Sequence, residues 1–230
     1  MQSNYTTTRG VAYDEGLRQY MLSIFNNMAV GLAISGVLSF IVGTSPELLQ
    51  AFFGGPQKWL VMLAPLGIVM YLSWAIRSMT PAQARAWFYA YSAATGVSLA
   101  FIFALFKMGS IFTLFFGTSA MFGAVSLYGY TTKRDLTQFG SFLMMGLFGL
   151  IITGLINLFV QSSVVAMATS IIAVFLFAGL TAYDVQMLKD MYDRSYEGER
   201  EMLGIYGALQ LYMNFINMFI NLLMLFGERK

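Results

Sequence analysis

The sequence predicts an all-α polytopic membrane protein, a bundle of seven transmembrane helices with the last helix at its centre. Of its 230 residues, 58% are hydrophobic and only 10% are charged, whereas soluble domains carry about 25% charged residues. The apolar residues form segments long enough to cross a bilayer, which takes about 20 residues each. The last of these segments carries a regular row of amide side chains, which favours a position inside the bundle.

Seven segments are long and apolar enough to span a membrane, and the connections between them are short. The connections hold turn residues and charges and leave no room for a soluble domain; the most charged of them is expected over residues 189–201. We therefore expect a polar N-terminal tail over residues 1–21 and one membrane domain over residues 22–230. The predicted spans are Leu22–Gly43, Trp59–Ile76, Trp87–Phe106, Ile111–Tyr130, Phe139–Val160, Val164–Leu188 and Gly204–Gly227.

The basic residues predict the orientation, because Lys and Arg are enriched in cytoplasmic connections. With seven spans, nine of the 13 basic residues lie on the side of the N-terminus and four on the other. This distribution favours a cytoplasmic N-terminus in a bacterial inner membrane. A re-entrant segment in place of one span would bring the C-terminus back to the same side.

Composition also excludes several classes of function. The chain has no cysteine and no histidine, so thiolate chemistry, Ser-His catalysis and His-ligated metals are excluded. The net charge of +2 gives no indication of a nucleic-acid partner. We expect no enzymatic activity and no cofactor, and any response to protons has to come from carboxylates.

Amide side chains line one face of the last segment. Gly207, Gln210, Asn214, Asn217 and Asn221 follow one another at spacings of three and four, which puts them on one side of a helix. An amide in hydrocarbon without a partner costs roughly 2–7 kcal/mol. The stripe is therefore expected to face protein or water inside the bundle, although packed amides in a purely structural bundle are an alternative.

Small residues recur at every fourth position in the first and third segments. Such faces let two helices approach closely, and packing inside the bundle is favoured over a dimer interface. The residues are Gly31, Ser35 and Ser39 in the first segment and Gly96, Ala100 and Ala104 in the third.

Asp184 is the one carboxylate that falls within a predicted span. Burial and the negative end of the helix dipole both disfavour its charged form, which makes it a candidate proton sensor and a weak calcium ligand. The alternative is an interfacial Asp that ends the helix in water. Arg77 and Arg85 are candidate partners of Asp184 in an ion pair that closes the cytoplasmic end of the bundle, or else are ordinary positive-inside anchors.

These features together resemble the Bax inhibitor family, also called the transmembrane Bax inhibitor motif proteins, and most closely its bacterial members. The resemblance is distributed over nearly the whole chain. The segments that carry it are Tyr13–Arg18, Tyr20–Leu22, Met28–Gly36, Leu63–Leu66, Tyr130–Leu136, Asp184 with Gln186, Gly207–Tyr212 and Phe215–Asn217.

The resemblance implies a central last helix wrapped by the other six and a pH-sensitive calcium leak across the membrane. It also implies a gate of two aspartates, one on the sixth and one on the seventh helix. The first corresponds to Asp184 and the second to Asn214, where this sequence has an amide that cannot titrate. Because two close carboxylates repel each other and an Asp–Asn pair does not, we expect a weaker or acid-shifted pH response and weaker calcium binding.

The resemblance leaves a second class of function open. Some relatives are regulatory membrane proteins that modulate membrane-protein quality control by a membrane protease, or that suppress cell death. Such a role would depend on the N-terminal tail, residues 1–20, and on protein partners. The partners expected for the leading hypothesis are the lipid bilayer, calcium ions and protons.

Overall fold

The computed structural model of the chain describes the backbone of residues 2–75 and 78–230, and the side chains of this part from Glu15 onward. The described residues are almost entirely helical, and they contain no strand longer than an isolated β-bridge. The helices in chain order are α1 (Gln2–Thr44), α2 (Pro46–Phe53), α3 (Gln57–Ala75), α4 (Pro81–Leu99), α5 (Ile102–Leu105), α6 (Met108–Thr131), α7 (Thr137–Val160), α8 (Ser163–Arg194) and α9 (Glu197–Phe226).

Seven helical stretches of the described chain have the length and composition to cross a membrane, so the predicted all-α architecture with seven spans is confirmed. Six of the stretches lie within single helices, and one combines α4 with α5. Each overlaps one predicted segment. The stretches are Glu15–Thr44, Gln57–Ala75, Pro81–Leu105, Met108–Thr131, Thr137–Val160, Ser163–Arg194 and Glu197–Phe226.

The main differences from the predicted spans lie in the polar regions. Helix α8 continues to Arg194 and α9 begins at Glu197, so most of the charged connection predicted over residues 189–201 is helical. The charges suit these ends, because Arg194 lies in the last turn of α8 and Glu197 in the first turn of α9, where each opposes the helix dipole favourably. Helix α1 begins before the predicted span, and the domain boundary after residue 21 stays a prediction.

Helix α9 packs against α1, α4, α6 and α8. Its side chains include several that are almost completely buried, among them Leu211, Tyr212 and Met218. Helix α3 packs mainly on α4, and α7 packs mainly on α8. The interior position of the amide-bearing helix agrees with these contacts, while the arrangement of six helices around it stays a prediction.

Small residues bring α1 and α4 into close contact, as predicted for packing inside the bundle. A Cβ added at Gly96 would lie 2.6 Å from the backbone oxygen of Ser35, and one added at Gly31 would lie 2.7 Å from the Phe88 ring. No side chain larger than hydrogen fits at either position without a shift of its neighbour. These two glycines therefore set the distance between the two helices.

The last residues of the chain attach to the connection between α5 and α6. Phe106 and Arg229 form an isolated antiparallel bridge. The Lys107 backbone N–H donates to the Glu228 carbonyl at 2.9 Å, and the Lys107 ammonium lies 3.0 Å from the Glu228 carboxylate. These contacts hold the end of α9 against the start of α6.

Candidate functional site

Asp184 of α8 and Asn214 of α9 form a hydrogen bond between the two helices. The Asn214 side-chain amide donates to Oδ2 of Asp184 at 2.7 Å. Both residues are only 6% exposed, so the pair lies in the interior rather than at a water-facing helix end. The structure thus brings together the two positions that the resemblance assigned to the gate.

Two close interhelical contacts flank Asp184 along α8. Helices α8 and α9 share the most extensive interface of the described helices. A Cβ at Gly207 would lie 2.5 Å from Cδ2 of Leu188, so the glycine makes room for that leucine one turn beyond Asp184. On the opposite side, a Cβ at Gly129 of α6 would overlap the carbonyl oxygen of Ala182. Asp184 is therefore fixed between two tightly packed contacts.

The site consists of one buried carboxylate and one amide. An ionised carboxylate accepts a hydrogen bond from an amide about twice as strongly as a neutral acceptor does. Protonation of Asp184 would therefore weaken the bond between α8 and α9. No group of three or more His, Cys, Asp or Glu side chains that could hold a metal ion occurs among the described residues.

Arg85, one of the two candidate partners of Asp184, forms its ion pair with a different carboxylate in this structure. Arg85 Nη2 lies 2.9 Å from Oε1 of Glu201, because the N-terminal turn of α4 is adjacent to the first turns of α9. The other candidate, Arg77, lies outside the described residues. In the described part of the chain, the hydrogen bond from Asn214 is the contact that holds Asp184.

The remaining amides of the predicted stripe do not join the site. Asn217 donates to the Met213 carbonyl and Asn221 donates to the Asn217 carbonyl, each at 2.8 Å and each within α9. Gln210 is partly buried, and its Oε1 atom has no hydrogen-bond partner in the described structure. The stripe therefore faces the interior or its edge, but only Asn214 crosses to another helix.

A second buried polar cluster, which the sequence analysis missed, joins α1, α4 and α9. Ser35 Oγ lies within hydrogen-bond distance of the Ser92 carbonyl at 2.7 Å and of the Tyr212 hydroxyl at 2.5 Å. Tyr212 is fully buried two residues before Asn214. The every-fourth-position pattern placed Ser35 on a packing face, but no sequence signal connected it with Tyr212.

The Gln186 side chain forms hydrogen bonds with the loop between α6 and α7, residues 132–136. Its Oε1 accepts the Leu136 N–H at 2.8 Å, and its Nε2 donates to the Arg134 carbonyl at 2.8 Å. In the same connection Asp135 accepts the Thr137 N–H, and side-chain and backbone hydrogen bonds from Thr137 hold the pKa of Asp135 below its usual value. The connection is thus fixed to α8 only two residues beyond Asp184.

The seven spans with a buried polar pair define an integral multi-pass membrane protein. The model of a family described as "Inhibitor of apoptosis-promoting Bax1" matches residues 17–230. The chain therefore belongs to the Bax inhibitor family, as the resemblance indicated.

Bacterial relatives match along nearly their whole length. Uncharacterized protein RP147 of Rickettsia prowazekii is 41% identical over 226 residues, which cover 98% of this chain and 96% of the relative. Inner membrane protein YbhL of Escherichia coli (strain K12) is 38% identical over 220 residues, which cover 94% of each chain. An uncharacterized protein of Caulobacter vibrioides is 38% identical over 234 residues, covering 96% of this chain and 92% of its own.

Proposed function

We propose that this protein is a pH-modulated, calcium-permeable leak channel or transporter whose gate is the Asp184–Asn214 pair. The observation that carries the proposal is the interhelical hydrogen bond of 2.7 Å to a buried carboxylate. Ionisable groups inside membrane spans are rare and are most often functional. Membership of the Bax inhibitor family supports the same proposal.

In this proposal the proton acts on the contact between α8 and α9. Ionised Asp184 accepts the Asn214 amide and holds the two helices together. Protonation removes the charge that strengthens the hydrogen bond, so the helices separate more easily and the leak rises toward acid pH. Calcium is the permeating ion, and Asp184 is its weak ligand rather than part of a resident metal site. The protein acts without a cofactor and without enzymatic chemistry.

Asn214 distinguishes this gate from a pair of aspartates. Two carboxylates at hydrogen-bond distance share a proton and titrate as a pair. An amide at position 214 leaves a single titrating group, which favours an acid-shifted response and weaker calcium binding.

A second candidate function is regulatory. The description of the matching family model refers to inhibition of cell death, which favours a non-conducting membrane protein that acts through protein partners such as a membrane protease. In either case we propose that this protein lies in the inner membrane with its N-terminus in the cytoplasm. The name of the Escherichia coli relative specifies the inner membrane for that protein.

Calcium flux into proteoliposomes tests the proposal. We expect wild-type protein to pass calcium and Asp184→Asn to lose the pH dependence of the flux. Asp190→Asn is the matched control, because Asp190 is an exposed carboxylate at the end of the same helix; it should behave as wild type. Absence of flux from the wild type, or equal effects of the two substitutions, would overturn the gate and favour the regulatory candidate.

A further inference from the structure

Contacts with α6 and α7 hold the segment of α8 around Asp184 on both sides of the carboxylate. Before Asp184 in the chain, a Cβ added at Gly140 of α7 would overlap the ring of Tyr183. After it, the Lys189 ammonium donates to the carbonyl oxygen of Tyr130, in the last turn of α6, at 3.3 Å. This segment of α8 therefore rests on the two helix ends that the loop over residues 132–136 joins.

Gln186 binds two backbone groups of the loop itself. Its side-chain amide accepts from the Leu136 N–H and donates to the Arg134 carbonyl, each at 2.8 Å. Leu136 is the residue before the first turn of α7, and its own carbonyl accepts the Gly140 N–H at 2.9 Å. Because hydrogen bonds are directional and one side chain makes both, they fix the position of α8 relative to the loop.

Farther along the two helices, the close contacts between α7 and α8 are apolar. A Cβ at Gly146 would lie 2.5 Å from Cδ1 of Leu176, and one at Gly179 would lie 3.0 Å from Cδ2 of Leu143. Lipid tails are as apolar as leucine side chains, so such packing is not reinforced by a hydrophobic driving force inside a membrane. The two bonds of Gln186 therefore do more than this packing to hold α8 at one axial position.

Asn214 is held in place by a different helix. Tyr212, two residues before Asn214, lies within hydrogen-bond distance of Ser35 Oγ of α1. A further polar contact between α8 and α9, from Arg200 to the Tyr192 hydroxyl at 3.3 Å, lies about 21 Å along α9 from Asn214. It is too far away to set the distance between the carboxylate and the amide. The bond between Asp184 and Asn214 thus joins two helices that have separate supports.

We propose that Gln186 is a positioning residue of the Asp184–Asn214 pair and holds the carboxylate at hydrogen-bond distance from the amide. Residues 184 and 186 are about 200° apart around the helix, so Gln186 acts from the side of α8 that faces away from Asn214. It fixes α8 to the loop, and the carboxylate on the other side of the helix then meets the Asn214 amide at 2.7 Å. This inference deepens the proposed function and rests on it for the role of the pair as a gate.

A triple-mutant cycle tests the proposal. The coupling between Asp184→Ala and Asn214→Ala is measured with and without Gln186→Met, which keeps the length of the side chain and removes both of its hydrogen bonds. Gln138→Met is the matched control, because Gln138 is an exposed amide in the first turn of α7, next to the same loop. Unfolding in mixed detergent micelles at alkaline pH, which favours ionised Asp184, gives the equilibrium constants.

We expect the coupling between Asp184 and Asn214 to change the unfolding equilibrium constant about tenfold, both in the wild-type background and in Gln138→Met. In Gln186→Met the coupling should fall below about threefold, because α8 is no longer held where the short bond forms. A purely structural role of Gln186 would destabilise all four proteins of the cycle equally and leave the coupling unchanged. The coupling therefore distinguishes a positioning residue from one that only stabilises the fold.

Equal couplings in Gln186→Met and Gln138→Met would overturn the proposal, and so would the absence of coupling in the wild type. If Gln186→Met does not fold, Gln186→Asn decides the question. Its amide is one methylene too short to reach both backbone groups, so the coupling should again fall, and an unchanged coupling would overturn the proposal. The assay does not involve calcium. Loss of coupling in a protein that shows no calcium flux would therefore support the positioning role and overturn only the proposed function.

Discussion

Asn214→Ala removes the hydrogen bond that holds Asp184 in the interior between α8 and α9. Hydrogen bonds to charged groups stabilise proteins by about 1.5–3 kcal/mol, whereas measured interhelical hydrogen bonds in a membrane protein average about 0.6 and reach about 1.7 kcal/mol. The Asn214–Asp184 bond is short, at 2.7 Å, and both partners are buried. We therefore expect a coupling free energy of about 1–2 kcal/mol when Asp184 is ionised.

The coupling is measured by a double-mutant cycle of Asn214→Ala and Asp184→Ala, with unfolding in mixed detergent micelles as the assay. Asn217→Ala is the matched control, because the Asn217 amide donates to the Met213 carbonyl of its own helix and does not contact Asp184 by a hydrogen bond. It should show a coupling to Asp184→Ala close to zero. The Asn214 coupling should decrease in acid, because a neutral acceptor forms a weaker bond. Equal couplings for Asn214 and Asn217 would refute the reasoning.

Three further predictions concern the bundle around the site, and each is measured as a change in unfolding free energy in the same assay. Gly96→Ala should destabilise the protein by about 1–3 kcal/mol, because its Cβ would lie 2.6 Å from the Ser35 backbone. The control Gly117→Ala should have little effect, because its added Cβ meets nothing within 4 Å. Equal effects of the two substitutions would contradict the close packing of α1 and α4. Tyr212→Phe should cost about 1 kcal/mol, since it removes one buried hydroxyl contact, and a neutral result would contradict the α1–α9 hydrogen bond. Arg85→Gln should cost less than about 1 kcal/mol, because its ion pair with α9 is partly exposed, and a large loss would point to a different partner.

Segment length and helical spacing were sufficient to predict the spans and the interior face of α9. Seven apolar stretches of adequate length correspond to the seven spanning stretches of the structure, because a helix needs about 20 mostly apolar residues to cross a bilayer. The spacing of three and four placed Asn214 on an inward face, because an unpaired amide is unfavourable in hydrocarbon. These are local properties of the chain, and the sequence contains them directly.

The partners of the polar residues could not be predicted from spacing. The pairing of Arg85 with Glu201 depends on how far α4 is shifted along its axis relative to α9. The two residues lie more than 100 positions apart in the sequence. The Ser35–Tyr212 contact depends on how closely Gly31 and Gly96 let α1 and α4 approach. The contact between Asp184 and Asn214 was expected from the family resemblance, since the pattern of residues alone left the surroundings of Asp184 open. The axial position of one helix relative to another is set by the packing of the whole bundle, so the spacing of residues within one helix does not predict it.

Calcium flux as a function of pH in proteoliposomes tests the central claim most directly, with wild-type protein compared with Asn214→Asp. The account predicts a leak that rises toward acid pH in the wild type. In Asn214→Asp, two carboxylates share the site and titrate as a pair, so the midpoint should move toward neutral pH by about one unit or more. A near-neutral midpoint in the wild type that does not change in Asn214→Asp would contradict the account, and absence of flux in both proteins would exclude the leak itself.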